Sequence, residues 1–254
     1  MILSVRGVRF GYNGRNILDD ISFNLSGGEM LAVVGVNGAG KTTLLKCLCG
    51  IFEPKGGSVL IDGKETAQMD RSERARRIGY VPQRYPDTDI SVFDAVLMGR
   101  KPHMGWSVTR RDLRITEDVL HTLRLDSMAL RPLSSLSGGE LQKVTIGRSL
   151  AQEPDFLLLD EPTSSLDLKN QMEIMEILAG ISKQRSLSTV VAMHDINTAL
   201  RFADRFLMLK DGRIHSLTPR ASITEESLRQ VFGVDVTMGL IDGHRVVIPA
   251  TFAQ

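Results

Sequence analysis

The apolar run Met30-Leu31-Ala32-Val33-Val34 leads directly into Gly35-Val36-Asn37-Gly38-Ala39-Gly40-Lys41-Thr42. An unbroken apolar run suits a strand covered on both faces, as in a parallel sheet, whereas a half-solvated strand alternates. Glycines at 35, 38 and 40 permit backbone conformations in which successive amides point inward at an anion. Leu44, Leu45, Leu48 and Ile51 then fall on one side of a predicted helix, whose amino-terminal dipole adds to the anion site. Strand, glycine loop and helix in this order restrict the chain to an α/β fold with a phosphate loop at a parallel sheet's edge. Such a pattern arises by chance in about one chain in a hundred from average residue usage, so its strand-before, helix-after setting is what decides. Asn37, Gly38, Ala39, Gly40, Lys41, Thr42 and Thr43 are the expected phosphate ligands. Lys41 would reach the β- and γ-phosphates, and the Thr42 hydroxyl would ligate Mg²⁺.

Two further features share that chemistry. Phe156-Leu157-Leu158-Leu159 is a second buried strand ending in Asp160-Glu161, and ligands of open α/β sheets bind at such strand ends. Asp160 is positioned to hold a magnesium ion, and Glu161 to orient or deprotonate an attacking water. Leu136-Ser137-Gly138-Gly139-Glu140 is a second anion-site candidate: Ser137 offers a hydroxyl, and Gly138 and Gly139 offer open amides at a helix start. Ser followed three residues later by Glu is also a capping box. The two readings are compatible.

The rest of the chain fits around these features. Leu3–Arg6, Val8–Phe10 and Ile21–Leu25 alternate as strands, with Asn13-Gly14 as a turn. Residues 92–150 read mostly as helix, with a 3.6-residue period in Val92–Met98 and Ile115–Leu123. A helix around Met172–Ile181, buried strands over Thr189–Met193 and Arg205–Lys210, and the Asp211-Gly212 turn complete an alternation that implies a parallel sheet with right-handed crossovers. The expected organisation is one domain over 1–254: β subdomain and phosphate loop in 1–88, an inserted helical subdomain in 89–152, and the remaining α/β core with a carboxy-terminal extension in 153–254.

Composition bounds the partners. With 31 basic and 30 acidic residues the net charge is +1, which gives no global pull toward nucleic acid or anionic lipid. No apolar run approaches the roughly 18 residues that span a bilayer, and the first residues lack a secretion signal's layout. A cytoplasmic location follows as an expectation, with any membrane role through a partner. Cys47 and Cys49 stand two apart on a predicted helix, a spacing that suits small buried residues better than a disulfide or a metal.

Together these motifs resemble the ATP-binding subunits of ABC transporters over nearly the full length, which implies a P-loop NTPase (RecA-like) core and ATP hydrolysis. The resemblance implies more roles. Tyr12 sits where the family stacks an aromatic on adenine, and Gln83, in Tyr80-Val81-Pro82-Gln83, matches the glutamine that contacts Mg²⁺ and the attacking water. Asp167, in Ser165-Leu166-Asp167, matches the loop that crosses to the other subunit, and His194 the histidine on the γ-phosphate. Each ATP would lie between one copy's loop and the other copy's Ser137-Gly138-Gly139, so a homodimer is implied. Val36 replaces a frequent proline and Lys143 a frequent arginine; neither touches the chemistry, and the catalytic set Lys41, Gln83, Glu161 and His194 is complete. His103, His121, His215 and His244 carry no expected role.

Stretches at Val92–His103, Ile196–Asp204 and Ser222–Pro249 are similar to importers of iron-siderophores, haem and cobalamin, with zinc importers sharing parts of them. That resemblance implies integral membrane permease subunits, an extracytoplasmic substrate-binding protein reached indirectly, and a place on the cytoplasmic face of the membrane. A soluble ABC ATPase and a nucleotide-sensing module are the readings from other classes. Basic clusters at Arg71–Arg77 and Arg110–Arg114 read as solvated helix faces, or as contacts for lipid headgroups or a permease loop.

Overall fold

The structure, a computed structural model, describes residues 1–83 and 89–250. The subdomain boundary expected at residue 88 falls outside them. Strands β1 (Ile2–Tyr12) and β2 (Arg15–Ser26) form an antiparallel hairpin. Its turn residues Asn13 and Gly14 have φ of 46° and 80°, as a tight hairpin between twisted strands requires. Next come β3 (Met30–Val34), α1 (Lys41–Leu48), β4 (Gly56–Ile61) and the short β5 (Lys64–Glu65). Because β4 returns beside β1, the first sheet runs β2-β1-β4-β5, all antiparallel.

After α2 (Arg71–Arg77) and β6 (Ile78–Val81) the chain is helical: α3 (Val92–Leu97), α4 (Arg110–Thr122) and α5 (Gly138–Leu150), with 3₁₀ turns at Met98–His103, Asp126–Met128 and Leu133–Ser135. The core resumes with β7 (Phe156–Asp160), α6 (Leu168–Arg185), β8 (Ser188–Met193), α7 (Ile196–Phe202), β9 (Arg205–Lys210), β10 (Arg213–Pro219) and α8 (Glu225–Phe232). A hairpin of β11 (Val236–Ile241) and β12 (His244–Pro249) follows.

The central sheet has the order β10-β9-β3-β8-β7-β6. Its strands are parallel except β10, which pairs antiparallel with β9. The expected parallel sheet thus carries one antiparallel edge strand: the tight Asp211-Gly212 turn is too short for a crossover, so β10 can only fold back. Every residue of β3, β7 and β8 is buried. Along β3 the two faces divide by parity. Met30, Ala32 and Val34 pack into a core shared with the helices α3 to α8, while Leu31 and Val33 pack into a second core with β1, β2 and α1. A strand sandwiched in this way loses the alternating pattern, and that is what the apolar run records.

Two local expectations need correction. Helix α1 ends at Leu48, so Ile51 does not extend its apolar side and is 55% exposed. Gly50, with φ of 69°, breaks the helix first. Cys47 is buried, but Cys49 is only partly so. Burial pushes the Cys47 thiol up to about 12 and the Cys49 thiol to about 11, which leaves both unreactive at neutral pH.

Candidate active site

The parallel strand order decides what meets at the carboxyl ends. β3 lies beside β8, β8 beside β7 and β7 beside β6, so the residues that follow these strands converge on one edge. There a cleft of about 290 Å³ is lined by Tyr12, Ile17, Asn37, Gly38, Gly40, Lys41, Thr42, Thr43 and Glu161. A cleft of about 400 Å³, lined in part by Asp118, Pro154, Asp155 and Arg185, lies instead at the amino-terminal end of β7 and has no glycine loop.

The loop's shape is enforced by its glycines. Gly38 and Gly40 have φ of 81° and 105°, and a Cβ on Gly40 would stand 2.9 Å from Leu18 Cδ2. No side chain fits there without strain. Ala39 does not line the cleft: it is buried, and its amide donates to the Val36 carbonyl at 3.2 Å.

Lys41 is 6% exposed and donates from Nζ to the carbonyls of Gly35 and Val36 at 3.0 and 3.3 Å. Burial lowers its pKa, with Glu161 and Asp160 acting in the opposite sense. An ammonium so short of water gains strongly from an adjacent anion.

Thr42 Oγ1 donates to Asp160 Oδ1 at 2.9 Å, and Tyr80 OH reaches Asp160 Oδ2 at 3.4 Å. Burial raises the Asp160 carboxyl above its usual range, the position expected of a buried carboxylate short of positive charge. A hydroxyl beside a carboxylate is a set of hard oxygen donors that suits Mg²⁺. Among the described residues no cluster of three or more His, Cys, Asp or Glu side chains could hold a metal unaided. An ion at Thr42 and Asp160 would therefore complete its shell with water and phosphate oxygens, as magnesium does.

Glu161 is the junction. Its backbone has a φ of 49°, an uncommon conformation for a residue with a side chain and one that clusters at functional sites. Its Oε2 accepts from Gln83 Nε2 at 3.0 Å and lies 4.0 Å from His194 Nδ1, while Oε1 lies 4.0 Å from Lys41 Nζ. Lys41, Gln83 and His194, from three separate segments, thus meet on one carboxylate.

Tyr12 stands at the far rim, half exposed. Its ring packs edge-on against Phe10 at 4.9 Å and against Phe52 at 5.6 Å, and the two phenylalanines stack at 5.0 Å. Neither Phe52 nor the cleft residue Ile17 is foreseen in the sequence. Phe52 lies after α1, and only the tertiary fold returns it to β1.

Ser137, Gly138, Gly139 and Asp167 are not among the residues lining this cleft. The Ser137 amide and hydroxyl both donate to Glu140 Oε2 at 2.7 Å, and the Glu140 amide returns to Ser137 Oγ at 3.4 Å. This capping box opens α5, and Asp167 caps α6 by accepting from the Asn170 amide at 2.8 Å. Both are helix starts whose remaining amides have no partner within their helix.

Residues 18–164 match the family model described as ABC transporter. The chain belongs to this family. It is 52% identical to an uncharacterised ABC transporter ATP-binding protein of Methanocaldococcus jannaschii over 98% of both chains. A haemin import ATP-binding protein of Pseudomonas entomophila is 38% identical, with 92% of this chain and 94% of that one covered. Among solved structures, a metal-chelate type ABC transporter in an inward-facing conformation superposes with a TM-score of 0.85 at 30% identity, covering 98% of each chain. The ABC fold is α/β, a P-loop NTPase core carrying an antiparallel sheet and helices, and the chain is an ATP-binding and ATP-hydrolysing subunit. Among the described residues of this ABC ATPase no helix is long and apolar enough to cross a membrane.

Proposed function

We propose that this chain powers a membrane importer of metal chelates, of the iron-siderophore, haem or cobalamin class, as a homodimer on the cytoplasmic face beneath integral permease subunits. An extracytoplasmic substrate-binding protein would act on it only indirectly. The observation that carries the ATPase part is the junction at Glu161, where Lys41, Gln83 and His194 approach one carboxylate at the mouth of the phosphate-loop cleft. The cargo reading rests on the likeness to a haemin importer subunit and a metal-chelate type transporter.

In this reading Tyr12 stacks on adenine, and the amides and side chains of Asn37 to Thr43 bind the phosphates. Ala39 shapes the loop without lining the cleft, its amide held by the Val36 carbonyl. Lys41 carries charge to the γ-phosphate, and His194 contacts it from the β8 side. Thr42, Gln83 and Asp160 would hold Mg²⁺, which when bound shields the phosphate oxygens and makes phosphorus a better electrophile. Glu161 accepts the proton of the attacking water, and the Gln83 amide holds one carboxylate oxygen so that the other faces it. Ser137, Gly138 and Gly139 complete the site from the second copy, with Asp167 beside them, because they do not line their own chain's cleft. The single domain 1–254 then divides as its chemistry does: β subdomain and phosphate loop in 1–88, the helical subdomain with the signature motif Leu136–Glu140 in 89–152, acid pair and His194 in 153–254.

Glu161→Gln keeps the shape and the Gln83 contact but removes the base. Turnover in the assembled complex is expected to fall at least about a hundredfold, with ATP binding kept and an ATP-bound dimer accumulating. An unimpaired hydrolysis rate removes Glu161 from its role. In reconstituted vesicles, ATP turnover stimulated by iron-siderophore, haem or cobalamin supports the cargo assignment. Stimulation by zinc or another metal species alone transfers it to that cargo. Recovery of the native chain with ribosomes or DNA instead of a membrane protein defeats the transport reading.

A further inference from the structure

The chain has one tryptophan, and Trp106 is fully exposed, with Val108 and Leu113 also turned to solvent. It sits in the loop 104–108 between the 3₁₀ turn Met98–His103 and α4. We propose that this loop, with the first turn of α4, is a contact surface for an anionic lipid bilayer, on which Trp106 settles at headgroup depth.

The loop is flanked in the chain chiefly by basic side chains, with the exposed acids Glu117 and Asp118 further along α4. From Lys101 to Thr116 the exposed charged side chains are Lys101, Arg110, Arg111 and Arg114, and the only acid in that span, Asp112, is buried. Arg111 has a 3.4 Å contact with Glu153, whereas Lys101, Arg110 and Arg114 have no acidic partner among the described residues. The fold adds the second basic cluster. Ser72 Oγ and Arg76 Nη1, both on α2, donate to the Pro102 carbonyl at 3.1 and 3.4 Å, which ties α2, with its exposed Arg71 and Arg76, to the 3₁₀ turn that leads into the loop.

The loop stands on a rigid base. Buried Arg100 precedes it and Asp112 follows it, and the two pair at 3.0 Å, with Arg100 also donating to the Ala151 carbonyl at 2.6 Å. His103 Nε2 lies 2.7 Å from the Gln152 carbonyl. An exposed indole held on a fixed foot and flanked in the chain by basic residues matches the interfacial preference of tryptophan and the pull of anionic headgroups on basic residues. A protein-docking hot spot would centre Trp106 in an apolar patch sealed from water. Here its chain neighbours are Gly105 and Ser107, and the exposed charged side chains nearest it in the chain, Lys101, Arg110 and Arg111, are cationic.

The inference rests on the membrane setting proposed above, but its test needs neither ATP nor permease, so its failure leaves the ATPase reading standing. Trp106 is its own probe. Adding vesicles of phosphatidylglycerol in phosphatidylcholine to the full-length chain is expected to shift its emission to shorter wavelength and to sediment the protein. Phosphatidylcholine alone or inorganic phosphate is expected to do neither. About 1 M salt, where the screening length falls to about 3 Å, is expected to reverse the shift. Each basic side chain near such a surface is worth about fivefold in partitioning, so R110E/R114E is expected to weaken binding at least about twenty-fivefold. W106A is expected to weaken it while leaving ATP turnover unchanged. Emission unmoved by anionic vesicles, partitioning indifferent to R110E/R114E, or shielding of Trp106 only when the permease is present would each overturn the proposal.

Discussion

At the scale of single residues, the site depends on side chains that pin other side chains. Phe52 is the clearest case: it does not line the cleft, yet it meets Tyr12 edge-on at 5.6 Å and stacks on Phe10 at 5.0 Å. Base–aromatic stacking is worth about 1–3 kcal/mol, and a freely rotating Tyr12 would lose part of it. Phe52→Leu is expected to raise KM for ATP about tenfold with little change in kcat, and to leave tripolyphosphate binding unaltered. Steady-state kinetics with a parallel tripolyphosphate titration check this, and equal loss for both ligands would mean general damage to the loop.

At the scale of elements, helix starts and buried pairs hold the helical region that carries the proposed second anion site. The Thr109 hydroxyl and amide, then Arg100, hold the Asp112 carboxyl down at about 2 despite its burial. A carboxyl whose folded pKa lies below its unfolded value stabilises the fold above the unfolded pKa, near 3.9, and ceases to do so as pH falls toward the folded one. Stability is therefore expected to drop between about pH 4 and about pH 2, with Asp112 contributing. Asp112→Asn leaves the Arg100 guanidinium buried without this partner, at a cost of about 3 kcal/mol near neutral pH. Denaturant titration at pH 7 and pH 3 checks both, since the variant's deficit should narrow at the lower pH.

At the scale of the whole molecule, the proposed site is divided. The phosphate cleft and the Ser137–Gly139 turn belong to different regions of one chain and do not share a cavity. A Cβ added at Gly138 meets only Leu166 Cδ2, at 3.9 Å, and an acid at a helix's first position suits its dipole. Gly138→Asp is thus expected to fold normally and bind ATP as a monomer, yet to lose ATP-driven dimerisation and at least about a hundredfold in turnover, because the new charge opposes phosphate. Light scattering with ATP, in a Glu161→Gln background, reads the dimer directly. A dimer of undiminished affinity would place the signature elsewhere.

Much of this was legible without coordinates because its causes are local. An apolar run marks β3 because both faces are covered, glycines mark the loop because only they adopt its backbone, and Asp160-Glu161 marks a strand end because the acids follow Leu159 directly. Ile51 misled for a local reason as well, since the helical period was carried past the break at Gly50. What had no local signal was proximity across the chain. The meeting of Gln83 and His194 on Glu161, of Phe52 with Tyr12, and of Arg76 on α2 with Pro102 before the Trp106 loop depends on how distant segments pack side by side. The sequence by itself determined the chemistry each segment offers, because backbone freedom, charge and periodicity are properties of neighbouring residues. Only the tertiary structure decided that the cleft and the signature stand apart, since strand order and the placing of the helical arm are set by how two cores pack against the two faces of one sheet.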